Sequence, residues 1–195
     1  MYCKHHTKGI IIGSRIEGDS NKLVNIFTKD FGLINAKVQG ARNAHSKLRS
    51  GCQDFSFGEF SLVQGRTGWK VVSVRTGHNF FEAFRHSPDK LKIAGNILHL
   101  IKKLVSEETR LPADQTTFKV VLNFFNFLIS AKEQDIALAE CLTLVRILHA
   151  LGFMRHDPEL LIPMSSVEID IKDLEKIAPR RSKMVALINE SLKAA

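Results

Sequence analysis

Phe55-Ser56-Phe57-Gly58-Glu59-Phe60-Ser61-Leu62-Val63 is the stretch whose reading decides the fold. Apolar and polar residues alternate in it, as in a strand with one buried face, but the phase slips. Phe55 and Phe57 are odd, Phe60 and Leu62 even, and Gly58 stands between them. The reading is one strand with a bulge and a sharp bend at the glycine. Downstream, Gln64-Gly65-Arg66-Thr67-Gly68 is a glycine-bearing hairpin loop leading into a strand over Trp69–Thr76. Upstream, Leu33–Gln39 puts Ile34, Ala36 and Val38 on one face and Asn35, Lys37 and Gln39 on the other. Lys22–Thr28 alternates through Val24 and Ile26, and Lys8–Ile16 through Ile10 and Ile12. Five short strands, one of them bent and no long helix between them, predict a small closed barrel.

After Phe84 the period changes to that of helices. Ser87-Pro88-Asp89 is a helix start, with a serine cap, proline at the first position and an acid in the first turn. Ala94, Ile97, Leu98, Ile101, Leu104 and Val105 then mark one buried face. A second helix is expected over Thr116–Ala131, with Phe118, Val121, Leu122, Phe125, Leu128 and Ile129 inward. A third is expected from Asp135 to Leu151, apolar nearly all round and therefore central, with Gly152 as its stop. Asp170–Ala178 and Ser182–Ala194 read as two shorter helices separated by Pro179. The fold class is α+β: a barrel domain over residues 1–84 followed by an all-α domain over residues 85–195.

With 195 residues, 44% hydrophobic and 25% charged, the composition is globular. A chain of this length can bury roughly 70% of its unfolded surface without staples. No run approaches the ~20 apolar residues of a membrane span, since Phe118–Ala131 is broken by Lys119, Asn123 and Asn126. Ile10-Ile11-Ile12 is too short for a signal-peptide core. Cys3, Cys52 and Cys141 are odd in number and far apart, which excludes a disulfide framework or a Cys-x-x-Cys knuckle. A cytoplasmic protein is expected.

Charge is uneven. Residues 1–86 hold 13 Lys/Arg against 6 Asp/Glu, nearly the whole excess of a chain whose net charge is +8. Two acid-free windows concentrate it: Phe31–Gln53, with Lys37, Arg42, Lys47 and Arg49, and Phe60–Phe81, with Arg66, Lys70 and Arg75. Such a surface attracts polyanions, and nucleic acid is the expected partner.

The first 84 residues resemble the N-terminal domain of the RecO family of recombination mediators. The matching pieces are Lys8-Gly9-Ile10-Ile11-Ile12, Gly18-Asp19-Ser20-Asn21-Lys22-Leu23 and Ile26-Phe27-Thr28-Lys29-Asp30-Phe31-Gly32-Leu33-Ile34. Val38-Gln39-Gly40-Ala41-Arg42 follows, then Ser46-Lys47-Leu48-Arg49, the Phe-rich strand and the Gly65–Trp69 hairpin. The resemblance implies a five-stranded OB-fold joined to a helical bundle, binding of single- and double-stranded DNA, strand annealing, and help in loading a recombinase. It also implies a nucleoid-associated location and two protein partners, a RecR-type protein and the C-terminal tail of single-strand-binding protein. Many family members carry a four-cysteine zinc module after the Leu151-Gly152-Phe153 region. Met154–Met164 here has no cysteine, so neither metal nor cofactor is expected.

The candidate nucleic-acid contacts are Lys37, Arg42, Lys47, Arg49, Arg66, Trp69, Lys70 and Arg75. Lysine and arginine neutralise phosphates, and aromatic faces stack unpaired bases. Trp69 reads equally as barrel core, and for Phe31 barrel core is the preferred reading. Arg42, Lys47 and Arg49 share a loop with Asn43, His45 and Ser46, too polar to be core, and loops of an OB barrel commonly border its groove. In the helical part, Phe124 and Phe127 lie about 100° and 200° round the helix from Phe125. They either fill a second interface or form an apolar groove fringed by Lys102, Lys103 and Lys119, which would suit the acidic, phenylalanine-ended tail that the resemblance implies.

Other motifs resolve into simpler chemistry. Asp30-Phe31-Gly32 copies a kinase triplet without the accompanying catalytic loop, and turn formation explains it. Gly65-Arg66-Thr67-Gly68 has the spacing of a KH loop but strand-like flanks. Cys3, His5 and His6 sit at a terminus expected to fray. Asp170, Asp173 and Glu175 read as a solvated helix face. No catalytic constellation is found, and a non-enzyme is expected. Two alternatives stay open: an RNA-binding OB module, and a metal-dependent phosphodiesterase built on the acidic tail.

Overall fold

The computed structural model describes residues 3–105, 115–154, 160 and 166–194. The stretch Met154–Met164, read above for its lack of cysteines, lies outside the described residues at 155–159 and 161–164. Two compact units divide the chain. One takes Met1–His86 with Leu98–Ala113, the other Ser87–Ile97 with Asp114–Ala195.

The first unit is a closed five-stranded barrel ordered β1-β2-β3-β5-β4, the OB arrangement. Its strands are β1 (Lys4–Glu17), β2 (Asn21–Thr28), β3 (Gly32–Val38), β4 (Ser56–Gly65) and β5 (Gly68–Asn79). All neighbours are antiparallel except β3 and β5, whose parallel pairing of Ala36 with Trp69 and Lys37 with Lys70 closes the wall. Val24, Ile26, Ile34, Ala36, Phe60 and Leu62 fill the interior. The short helix α1 (Leu48–Gly51) lies against β5. Only glycine permits that approach, because a Cβ at Gly51 would stand 2.4 Å from the Val74 side chain.

The phase slip in β4 has a cause other than the one expected. β4 pairs with β1 without a break from Val63 to Phe57, so β4 carries no extra residue against that neighbour. Two irregularities fall in β5: Phe57 faces His78 and Gly58 faces Thr76, leaving Gly77 over, and Ser61 faces Ser73 and Leu62 faces Val71, leaving Val72 over. A Cβ at Gly58 would meet the Arg75 carbonyl at 2.7 Å, which explains the glycine. Phe57 breaks phase because it faces away from the interior, with its ring 6.3 Å from that of Phe80. Phe80 belongs to α2 (Phe80–Phe84), which Asn79 caps by accepting from the Phe81 N–H at 2.9 Å.

A second departure concerns β1. Ile10 and Ile12 were expected to share the buried face. Instead Ile11 pairs with Ile26 and Gly13 with Asn25, so Ile12 is an extra residue. Ile10 and Ile11 are both fully buried, Ile11 in the barrel interior, and Ile12 is only half-buried. Entry to β4 is made by Phe55 at φ 65°, a region that a bulky side chain rarely adopts. The residue is held there on both sides: its N–H donates to the Ile11 carbonyl at 2.8 Å and its carbonyl accepts from Phe80 at 3.1 Å.

α3 (Pro88–Leu104) runs through the division between the units. The second unit contains α4 (Gln115–Ser130), α5 (Glu133–Ala150), α6 (Ile171–Ile177) and α7 (Arg181–Ala194), with a 3-10 turn over Ala178–Arg180 carrying Pro179. α5 is central, packing on α4, α6 and α7, and Gly152 ends its region at φ 78°. Within α5, Arg146 is buried and donates from Nη1 to the Glu168 carbonyl at 2.9 Å. Burial lowers its pKa to about 10, against the pull of Asp173. In the barrel, burial pushes the Cys52 thiol up to about 11, opposed by Lys22. Among the described residues no helix is long and apolar enough to cross a membrane.

Candidate nucleic-acid interface

Because Val24, Ile26, Ile34 and Ala36 fill the interior, the alternate residues of β2 and β3 face outward. Leu23 stands opposite Lys37 there, and Asn25 opposite Asn35, with the Asn25 amide donating to the Asn35 side-chain oxygen. Parallel pairing of β3 with β5 sets the β4–β5 hairpin beside this face. Its two-residue tip, Arg66-Thr67, closes through Gly68 at φ 104°. Between wall and hairpin lies a concavity of ≈ 450 Å³, whose lining includes Glu17, Leu23, Leu33, Asn35, Lys37 and Trp69. In an OB barrel the face of strands 2 and 3, bordered by the β1–β2 and β4–β5 loops, is where oligonucleotides are bound.

Trp69 is placed at the boundary of its two readings, packed on the core and facing the concavity. Its half-buried ring packs on the barrel interior, 5.2 Å from Phe31 and 5.4 Å from His5, and it also lines the concavity. Phe31 completes that ring cluster, 5.3 Å from His5, and is not among the residues lining the concavity.

The candidate cations divide into three kinds. Lys37, at the concavity, is paired to Glu17 at 2.9 Å. Lys70 is its register neighbour on β5, and Arg66 is exposed at the hairpin tip. Arg75 lies elsewhere, paired to Glu59 at 2.6 Å on a second concavity of ≈ 450 Å³ that also takes His6, Lys8, Lys29 and Asp30. The structure therefore does not bring Arg75 to the Lys37 face. Sequence reasoning passed over Lys8 and Lys29; Lys8 comes opposite Glu59 only through folding, while Lys29 precedes Asp30 in the chain.

The loop after β3 is tied to the β1–β2 hairpin through Arg42. Its N–H donates to the Ser20 carbonyl at 3.0 Å, and Nη1 donates to the carbonyls of Asp19 at 2.8 Å and Gly18 at 3.4 Å. The Gly40 N–H adds a bond to Asn21 Oδ1 at 3.1 Å. Arg42 is thus partly committed to holding the loop. Lys47 and Arg49 are exposed and make no ion pair among the described residues.

The proposed apolar groove on the second helix needs correction. Phe124 is fully buried, its ring 6.2 Å from that of Phe125, so it is no groove wall. α4 buries a broader stripe than expected, running through Thr117, Val120, Val121, Phe124 and Leu128, which turns Ile129 outward to 46% exposure. Phe127 is half-buried and Lys119 exposed. Lys102 and Lys103 are exposed on the part of α3 that belongs to the barrel unit. Asp170 caps α6 by accepting from the Lys172 N–H, and Asp173 pairs with Lys176 at 3.2 Å, so these acids have local partners. Asp30 accepts from the Thr7 hydroxyl at 2.7 Å in the turn before β3. Among the described residues no three His, Cys, Asp or Glu side chains converge as a metal site.

Residues 1–78 match the family described as Recombination protein O N terminal. Over 101 residues the chain is 33% identical to the DNA repair protein RecO of Alkaliphilus metalliredigens, covering 52% of this chain and 41% of that protein. Over 149 residues it is 25% identical to the DNA repair protein RecO of Acetivibrio thermocellus, covering 75% of this chain and 57% of that protein. A third relative, the DNA repair protein RecO of Gloeothece citriformis, is 35% identical over 72 residues, covering 37% of this chain and 25% of that protein. The chain spans about half the length of the first two relatives.

Proposed function

From a chain that belongs to the RecO family through its N-terminal domain, we propose a DNA-binding protein of repair and recombination that anneals complementary strands and assists recombinase loading. The observation that carries this reading is the concavity on β2–β3, where Trp69 and Leu23 offer apolar surface beside Lys37. Arg66 and Lys70 add positive charge along the hairpin, and Lys47 and Arg49 are further exposed cations of the same barrel domain. Annealing needs no general acid or base. It needs two phosphate backbones screened while bases stay free to pair, and a basic face with a shallow apolar floor supplies that.

The reading extends to partners and place. A RecR-type protein and the acidic tail of a single-strand-binding protein are proposed to dock on it, the latter near Phe127 and Lys119, and a cytoplasmic, nucleoid-associated location follows from the work proposed. Titrating the tail peptide against wild type, Phe127→Ser and Lys119→Glu tests the docking; unchanged affinity in both variants removes it.

The test of the main reading is annealing of complementary oligonucleotides by the full chain, with and without chelator. Annealing that is accelerated and indifferent to chelator supports the proposal. Magnesium-dependent cleavage would support a phosphodiesterase instead, and tighter binding of RNA than of DNA of matched sequence would move the substrate to RNA.

A further inference from the structure

Glu17 stands at the end of β1, and its carboxylate crosses to the outer face of β3. Oε2 lies 2.9 Å from Lys37 Nζ, and both residues line the ≈ 450 Å³ concavity with Trp69. The same oxygen is shielded from water and accepts no hydrogen bond of good geometry, so the Lys37 ammonium is its compensating partner. The pair as a whole is still reachable, with side chains 34% and 44% exposed. An exposed ion pair is weak, and a phosphate can displace it. Displacement has a consequence particular to this site, because a phosphate that takes Lys37 leaves a shielded carboxylate oxygen without compensation. Lys47 and Arg49, exposed and outside any ion pair among the described residues, carry no such cost.

We propose that Glu17 is a built-in counterion that competes with nucleic-acid phosphate for Lys37 and so limits the affinity of the groove, keeping bound strands exchangeable. The inference rests on the reading of the concavity as a nucleic-acid site. Salt behaviour distinguishes it from ordinary surface charge. With Glu17 present, a phosphate bound at Lys37 replaces one anion by another, and the net release of counterions is reduced. Without it, Lys37 acts as a full phosphate contact, and the slope of log affinity against log salt steepens by about 0.7 for a single strand.

The experiment measures binding of a fluorescent single-stranded oligonucleotide to the full chain across a salt series. It compares wild type, Glu17→Gln, Lys37→Met and the double variant, with folding checked by circular dichroism. Glu17→Gln is expected to bind about three- to tenfold tighter at low salt with the steeper slope. In the Lys37→Met background the same change is expected to alter affinity less than twofold, since the competitor then has nothing to compete for. Equal tightening in both backgrounds would make Glu17 a diffuse negative charge and overturn the inference, as would no tightening at all. Lys47→Ala with Arg49→Ala separates the two levels of the argument. If that pair weakens binding while Glu17→Gln is silent, the counterion fails and the nucleic-acid reading stands. If wild type shows no salt-dependent binding, the reading fails and the counterion with it.

Discussion

In the barrel, Val24, Ile26, Ile34 and Ala36 point to one interior, and every second residue is left for the outer wall. In the helical unit, α5 is buried on nearly every side and even encloses an arginine. Period-two geometry thus gives the barrel a surface whose chemistry varies independently of its core, and that surface carries most of the excess charge. The helical unit uses its residues mainly to fill space. On the proposed function, binding belongs to the first unit, while the stability of the second rests on a few buried positions, and each half can be broken separately.

The largest expected effect is at Arg146. Arg146→Ala removes a buried stem and the bond to the Glu168 carbonyl, and should destabilise the protein by about 3 kcal/mol. Arg146→Met keeps the stem and relieves the desolvation that lowers the arginine pKa, so its cost should stay under about 1 kcal/mol. Denaturant titration of both variants measures this. Salt dependence of DNA binding, taken where each variant is folded, should match wild type. A flattened slope in Arg146→Met would break the division of labour.

Next is a pH effect within the barrel. The Cys52 thiol holds its proton to about pH 11 when folded, against an ordinary value of 9.0. Between these values the unfolded chain ionises while the native one does not, so stability falls as pH rises, by roughly 2 kcal/mol at the upper end. Cys141 in the helical unit shifts in the same direction, through burial first. Denaturant midpoints from pH 8 to 11 should therefore drop less steeply for Cys52→Ala than for wild type. Identical slopes would show that the thiol ionises freely in the native state.

How much of this the sequence disclosed depends on the range of the interaction. Alternation within strands and the glycine hairpin disclosed the five strands, and helical periodicity with the Ser87-Pro88-Asp89 start, Gly152 and Pro179 located the helices. What failed involved a second element. Ile12 loses its expected place through a bulge against β2, and Phe57 faces Phe80 rather than the interior. The candidate cations were identifiable from acid-free windows, but which of them are already paired was not. Glu17 meets Lys37, and Glu59 meets Arg75, only through cross-strand placement. Acid-free windows describe neighbours in sequence, and the neutralising acids came from outside them. Of the two readings of Phe124, the buried one fits and the groove wall does not, for a related reason: the width of the buried stripe on α4 is set by its packing partners, not by its own periodicity.

Lys47 and Arg49, outside any ion pair among the described residues, give the third prediction. Lys47→Ala with Arg49→Ala should weaken binding of any single-stranded sequence about tenfold and make the salt slope shallower by about 1.4, two contacts at about 0.7 each. From four to six contacts in all, the wild-type slope should lie at about −3 to −4. The matched control in the helical unit, Lys172→Ala with Lys193→Ala, removes the same charge from exposed helix faces and should leave the slope alone. Equal losses in the two pairs would mean that overall charge, not the barrel face, governs binding.

The smallest effect concerns Arg42, which belongs by sequence to the same loop as Lys47 and Arg49. Its Nη1 is already donating to the Asp19 and Gly18 carbonyls, and those bonds hold the loop to the β1–β2 hairpin. As a tie, it should act on stability. Loss of a partly exposed, charge-assisted bond costs about 0.5–1 kcal/mol, while the backbone bond from the Arg42 N–H to Ser20 survives the substitution. As a phosphate contact, it should change the salt slope by about 0.7. Arg42→Ala is therefore expected to lower the denaturant midpoint slightly and to flatten the slope by less than half that amount. Arg42→Lys sharpens the distinction, because it keeps the charge on a side chain one atom shorter, which draws the donor back from the position Nη1 holds between the two carbonyls. If Arg42→Lys restores binding and stability alike, charge alone was at work. If it restores the slope but not the midpoint, the guanidinium is the clasp between the two loops, and the rim of the groove is held in shape by an arginine that contributes little to holding the strand.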